Sequence, residues 1–108
     1  KLVLTCEHGG HLIPEKYKVY FIGSKDVLNT HRGSDLGALD VFNHLKPLAD
    51  YSRFSETSRL LIELNRSQHH KNLFSEVSRY FSKSEKSLLI EDYYSDYRNE
   101  VEVLRQII

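Results

Sequence analysis

Short apolar runs along the chain predict three strands. The first covers residues 2–6, is rich in β-forming side chains, and ends at a charged pair followed by two glycines. Strands are also predicted over residues 49–54 and over the apolar run at residues 60–64. Three strands make a thin sheet, since a sheet covered on both faces normally has more.

Apolar positions at helical spacing predict three helices. Leu39, Phe42 and Leu45 predict a helix that begins at residues 34–36 and ends at residue 46, where Pro47 stops or kinks it. A second helix is predicted over residues 74–81, and the serine- and lysine-rich residues 82–87 are interpreted as a turn. A third, long amphipathic helix is predicted over residues 84–108. Its apolar stripe consists of Leu88, Leu89, Tyr93, Tyr94, Tyr97, Val101, Leu104 and Ile108.

The chemistry-bearing side chains concentrate around residues 58–67, where arginine and asparagine flank the apolar run. Arg59 precedes the run, and Asn65 and Arg66 follow it. Arginine offers a planar fork of donors that holds a carboxylate bidentately, and asparagine adds a neutral donor and acceptor. We interpret the three side chains as a candidate carboxylate clamp. The alternative is an ordinary strand whose flanking arginines lie in solvent.

A second candidate site follows the first predicted strand, which delivers Glu7 and His8 to a glycine-containing loop. In open α/β sheets, ligands bind at the carboxyl ends of the strands. Neutral histidine and carboxylates suit a divalent ion such as zinc, and glycine lets a ligand approach the backbone. The alternative is a structural histidine satisfied by a backbone group or by solvent.

Asp35 lies at the predicted start of the helix that follows residues 30–34. A carboxylate there either caps free backbone N–H groups or turns outward to bind a cation. The sequence leaves both roles open.

Composition narrows the class of protein. The chain has 108 residues, 40% of them hydrophobic and 28% charged, with 15 basic and 15 acidic side chains and no formal net charge. This balance gives no electrostatic case for binding nucleic acid or an anionic membrane. No apolar run approaches the roughly 20 residues that span a bilayer, and no basic-then-apolar leader opens the sequence. Cys6 is the single cysteine, so an intramolecular disulfide is excluded, and we expect a small core residue in a cytoplasmic protein.

Taken together, three segments resemble the N-formylglutamate amidohydrolase family. The first matching motif is Cys-Glu-His-Gly-Gly at residues 6–10 with Ile-Pro at residues 13–14. The second is His-Arg-Gly at residues 31–33 with Asp35 and Gly-Ala at residues 37–38. The third is Ser-Arg-Leu-Leu at residues 58–61 with Glu-Leu-Asn-Arg-Ser at residues 63–67. The last third matches more loosely, through residues 73–75 and 93–98. The resemblance implies a three-layer α/β/α fold like that of zinc carboxypeptidases and aspartoacylase. Residues 1–108 would then be the N-terminal portion of a single domain.

The implied reaction is metal-dependent hydrolysis of the amide of an N-acyl amino acid such as N-formylglutamate, usually with zinc. By resemblance, Asn65 and Arg66 hold the free carboxylate of the substrate. Arg59 polarises the scissile carbonyl, where charge grows only in the transition state. Arg98 is a further candidate substrate-binding residue, although an i,i+4 ion pair with Glu102 is the simpler interpretation.

The resemblance also implies that His8 and Asp35 bind the metal, with His11, His31 and Glu7 as reserve ligands. A catalytic site needs about three protein ligands and one open position. The family carries a further histidine and a carboxylate downstream, and this sequence ends before either. The alternative function is therefore a non-catalytic module that binds a carboxylate or another anion without a complete metal site.

Overall fold

The computed structural model describes residues 1–107, which form a mixed α/β fold around a two-stranded parallel sheet. Strand β1 (Val3–Cys6) pairs with β2 (Tyr51–Phe54), with Val3 opposite Tyr51 and Cys6 opposite Phe54. Both strands were predicted, and both predictions are confirmed. A parallel pair requires a crossover connection, and the helical segments between residues 15 and 48 form it.

The crossover contains a short helix, α1 (Lys25–Leu28), and a longer one, α2 (Ala38–Leu45), which packs on β1. Phe42 of α2 is buried, and its ring lies 5.5 Å from the ring of Phe54. A 3₁₀ turn, Lys46–Leu48, follows and contains Pro47, so the predicted end of the helix is confirmed. The start is later than predicted, because Gly37 with φ of +83° forms the N-cap.

The predicted C-terminal helix is confirmed as far as residue 107, and Ile108 lies outside the described residues. It consists of α3 (Lys83–Leu89), a π-helical turn (Ile90–Ser95) and α4 (Asp96–Ile107). The turn predicted over residues 82–87 is wrong. The Ser82 hydroxyl accepts a hydrogen bond from the Glu85 N–H at 3.1 Å, and serine at an N-cap initiates a helix there.

The predicted strand over residues 60–64 is also wrong, although the apolar residues of the run are buried as in a strand. The Leu61 N–H donates to the Ser58 carbonyl at 3.0 Å, and the Leu60 N–H donates to the Ser58 hydroxyl at 3.2 Å. These local bonds form a turn and compete with strand pairing. An apolar run of this length fits any buried segment, so its periodicity could not decide between them.

Two further differences concern helical turns. The helix predicted over residues 74–81 is reduced to a 3₁₀ turn, Ser78–Tyr80, because the Ser75 and Ser78 hydroxyls bond to nearby backbone N–H groups. Conversely, a 3₁₀ stretch over Glu15–Ser24 was not predicted, since its apolar residues lack a single helical face.

The core lies between the buried turn, the 3₁₀ stretch and the C-terminal helices. Its members are Ile13, Tyr17, Phe21, Leu28, Leu60, Leu61, Ile62, Leu64, Leu73, Leu89, Tyr94 and Tyr97. Among residues 1–107, no helix has the length and apolar character needed to cross a membrane.

Candidate functional site

His8 lies just beyond the carboxyl end of β1 and is held between two carboxylates. Its Nδ1 is 3.2 Å from Asp35 Oδ2, and its Nε2 hydrogen bonds to Glu63 Oε1. The His8 and Glu63 side chains are largely buried, with 11% and 13% of their surface exposed. Three segments distant in sequence therefore converge on one imidazole ring.

Backbone pairing fixes the loop that carries His8. The Gly9 N–H donates to the Ser55 carbonyl at 3.0 Å, and the Asp35 N–H donates to the His8 carbonyl at 2.9 Å. Glycine is required at position 10, because a Cβ there would lie 2.7 Å from the Glu56 carbonyl oxygen. The glycines thus allow close backbone packing at the mouth of the site.

Glu63 is the residue of this cluster to which the sequence analysis gave no role. Its Oε1 also accepts a hydrogen bond from the Asn65 N–H at 3.1 Å. The available signal was a single acidic residue between Ile62 and Leu64 in an otherwise apolar run, since glutamate is rarely buried without a partner.

Mutual interaction shifts the pKa of both members of the His8–Glu63 pair. The hydrogen bond that the His8 ring donates to Glu63 raises the pKa of His8 against the opposing effect of burial, and the contact with Asp35 adds to the increase. Burial by itself would raise the pKa of Glu63, but hydrogen bonds from His8 and from the Asn65 N–H outweigh it and lower that pKa. A protonated His8 donates to both carboxylates, and its positive charge offsets one of their two negative charges.

Arg59 joins the cluster through Asp35. One of its terminal nitrogens lies 3.0 Å from Asp35 Oδ1 and also donates to the His31 carbonyl, and its Nε donates to the Arg32 carbonyl at 3.1 Å. Within residues 1–107 its other terminal nitrogen has no hydrogen-bond partner, so one end of the guanidinium is open to a ligand. The Asp35 side chain makes no capping hydrogen bond to α2 and contacts His8 and Arg59 instead, so its predicted role in binding a metal ion stays a prediction.

The donor set offers a partial fit to a metal. A metal-binding histidine typically coordinates through one nitrogen and donates the other N–H to a carboxylate. His8 has a carboxylate on each nitrogen, so His8 and one carboxylate could ligate while the second carboxylate orients the ring. Among the described residues, however, no group of three or more His, Cys, Asp or Glu side chains is arranged to hold an ion. The residues present could therefore supply two ligands, with the other carboxylate orienting the imidazole ring.

Of the three predicted clamp residues, Arg59 belongs to this cluster, whereas the side chains of Asn65 and Arg66 do not. Asn65 and Arg66 are exposed in the loop that follows the buried turn. Arg98 of α4 donates to the carbonyls of Leu64 and Arg66 at 3.0 and 3.2 Å, and its guanidinium lies 5.4 Å from the Tyr94 ring centroid. The i,i+4 pair with Glu102 is not formed. Arg98 thus holds the backbone of the loop that carries Asn65 and Arg66, which we call the clamp loop.

The reserve ligands lie apart from the His8 ring. His11 and His31 are exposed, and His31 contributes its carbonyl to Arg59. Glu7 accepts a hydrogen bond from the Tyr97 hydroxyl at 2.6 Å. Cys6 is buried as expected, and burial raises the pKa of its thiol.

Two cavities flank the cluster. One of about 370 Å³ is bordered by His8, Asp35 and Asn65. The other, of about 410 Å³, is bordered by Arg59 and Glu63. Both fall within the roughly 300–1,000 Å³ typical of small-molecule sites.

The fold and site together define a mixed α/β protein with a histidine–carboxylate–arginine cluster at the carboxyl edge of a parallel sheet. The structure is similar to the crystal structure of the gene product Atu2144 from Agrobacterium tumefaciens, with a TM-score of 0.83 and 24% sequence identity. The similarity covers 98% of this chain and 46% of that chain, so the sequence spans about half the length of its structural neighbour. At this identity, the likeness concerns the fold alone. No family model matches the sequence, and no curated protein matches it significantly.

Proposed function

We propose that this chain carries the N-terminal part of the active site of a metal-dependent amidohydrolase that cleaves N-acyl amino acids such as N-formylglutamate. The observation that carries the proposal is the convergence of His8, Asp35, Glu63 and Arg59 beside two cavities at the carboxyl end of β1. Ligand sites in open α/β sheets form at this edge.

In this proposal, His8 and either Glu63 or Asp35 hold a zinc ion, and the remaining carboxylate fixes the imidazole. Zinc, when bound, supplies Lewis acidity and a water of lowered pKa. The open nitrogen of Arg59 donates to the carbonyl oxygen of the substrate, where preorganised donors stabilise developing negative charge. Asn65 and Arg66 bind the α-carboxylate, and Arg98 holds their loop in place.

The same proposal extends to the fold of the enzyme, its cellular location and its partners. A three-layer α/β/α domain would place further strands beside β1 and β2, with these 108 residues as its N-terminal portion. The remaining metal ligand and the general base would come from outside this portion. We further propose that the enzyme acts in the cytoplasm on a small-molecule substrate, with no nucleic acid or membrane partner.

The test is zinc stoichiometry by elemental analysis, paired with formate release from N-formyl-L-glutamate, in the protein that also contributes the remaining ligand and the general base. We expect bound zinc in the unmodified chain and its loss in His8→Ala, because the imidazole is the shared contact of both carboxylates. His44→Ala is the matched control, since His44 is exposed on α2. Equal zinc content in the unmodified chain and in His8→Ala would contradict the proposed metal site.

One observation favours a second candidate, a carboxylate-binding module without catalysis. Within residues 1–107, the acidic and histidine side chains do not form a three-ligand group. The module would bind the anion but neither retain zinc nor release formate. Binding of N-formylglutamate without either property would favour this candidate.

A further inference from the structure

The cavity beside Arg59 has an excess of positive charge. Four of its bordering residues are basic, namely Arg32, Arg59, Lys71 and Arg79, and two are acidic, namely Glu63 and Glu76. We call it the basic cavity. A cavity bordered by one sign of charge attracts small ligands of the opposite sign.

Two of these cations form no ion pair within residues 1–107. Arg32 pairs with Glu76, Arg59 pairs with Asp35, and Glu63 is engaged by His8. In the described part of the chain, neither Lys71 nor Arg79 has a carboxylate within 4.0 Å.

Arg79 is held in position by a neutral partner. Its guanidinium donates to the Tyr80 hydroxyl at 2.9 Å and lies 4.9 Å from the Tyr80 ring centroid. A guanidinium that is oriented without being neutralised loses less conformational entropy when it binds an anion. The basic cavity thus presents an oriented arginine and a nearby lysine.

The basic cavity and the cavity that contains Asn65 share the His8–Glu63 pair as their boundary. Glu63 borders the first, and His8 borders the second. A substrate whose amide lies at this pair can therefore extend one acidic group towards Asn65 and another into the basic cavity. The side chains of Leu60 and Phe74 supply apolar surface for the intervening methylene groups.

We propose that the basic cavity binds the side-chain carboxylate of an acidic N-acyl amino acid, and that Lys71 and Arg79 select this carboxylate over a neutral group. The inference rests on the proposed function for the identity of the ligand and adds the residues that determine specificity. Asn65 and Arg66 remain assigned to the α-carboxylate.

The experiment compares the binding of N-formyl-L-glutamate and N-formyl-L-glutamine by calorimetry, with chelator present to suppress turnover. The two ligands share the α-carboxylate and differ in the charge of the side chain. We expect about 10-fold tighter binding of the glutamate compound, as one charge-assisted contact provides. Lys71→Gln and Arg79→Gln should each weaken its binding about 5-fold to 10-fold and leave binding of the glutamine compound unchanged.

Two control variants separate the effect of charges in the basic cavity from the effect of the overall charge of the protein. Lys83→Gln and Arg105→Gln remove the same charges from α3 and α4, outside the basic cavity, and should preserve the preference. Circular dichroism establishes that each variant is folded. Formate release, measured separately with zinc, reports on the proposed function.

The outcomes distinguish the two proposals. A preference that disappears in both cavity variants supports the inference even if no formate is released, in which case the proposed hydrolysis fails. Hydrolysis with equal affinity for both ligands supports the proposed function and overturns the inference. Undetectable binding of N-formylglutamate, or a preference unaffected by both substitutions, overturns it as well.

Discussion

Tyr97→Phe tests whether a buried phenol fastens α4 to the end of β1, next to His8. The Tyr97 side chain is 2% exposed, and its hydroxyl donates to Glu7 Oε2 at 2.6 Å. Phenylalanine retains the ring and its contact with the guanidinium of Arg53, so the substitution removes the hydrogen bond without opening a large cavity.

The expected loss in the free energy of unfolding follows from the charge of Glu7, which accepts the hydrogen bond. A hydrogen bond to a charged group contributes about 1.5–3 kcal/mol. Glu7 is half-buried, so water replaces part of the lost bond, and we expect the lower end of that range at pH 7, about 1.5 kcal/mol.

The same contact predicts an alkaline effect with a definite sign. Burial, followed by the hydrogen bond to Glu7, raises the pKa of Tyr97 in the folded protein. The neutral phenol is thus favoured by folding, and its stabilisation is complete below the unfolded pKa of about 10 and declines as the pH rises above it. At one pH unit above the unfolded pKa, this effect lowers the free energy of unfolding by about 1.4 kcal/mol. The difference between the unmodified chain and Tyr97→Phe should therefore nearly vanish at pH 11.

The assay is urea denaturation followed by circular dichroism at pH 7 and pH 11. Tyr20→Phe is the matched control, because it removes the same hydroxyl group from an exposed tyrosine. A variant as stable as the unmodified chain at pH 7 would refute the reasoning. An undiminished difference at pH 11 would refute the pKa argument alone.

Two further substitutions test the buried turn and the clamp loop. Leu61→Ala should lower the free energy of unfolding by about 2–5 kcal/mol, because Leu61 is fully buried, whereas Leu48→Ala on the surface should change it by under about 0.5 kcal/mol. Similar urea midpoints for both would contradict the assignment of residues 60–64 to the core. Arg98→Ala removes two hydrogen bonds to backbone carbonyls of the clamp loop and should increase amide hydrogen exchange there, with Arg105→Ala as control. Unchanged exchange would show that Arg98 does not hold the loop.

The regular elements were the most predictable part of the fold. Residues 2–6 carry an apolar run that ends at turn signals, and Leu39, Phe42 and Leu45 recur near the helical period. These patterns reflect which face of each element is buried, so β1, β2, α2 and the C-terminal helices were recovered. The errors fall where serine hydroxyls offer the backbone an alternative partner, at Ser58 and at Ser75 with Ser78.

Three residues of the candidate site were predictable individually, but the way their side chains meet in space was not. His8, Asp35 and Arg59 were each proposed from a local motif, and the structure brings these three together. Asn65 and Arg66 remain predictions, since their side chains lie exposed. Glu63 escaped notice because its importance depends on a contact with a residue 55 positions away, which no local pattern records.

The sequence by itself determined β1, β2, α2 and the C-terminal helices of this protein and the segments that carry its candidate chemistry, because side-chain burial and turn chemistry leave periodic and compositional marks. The tertiary structure alone decided which of these side chains meet. The parallel pairing of β1 with β2 and the turn at Ser58 set His8 between two carboxylates. Glu76 and Asp35 pair with Arg32 and Arg59, and in the described part of the chain Lys71 and Arg79 form no ion pair. Such contacts are long-range, so they depend on how the chain packs and not on any short stretch of it.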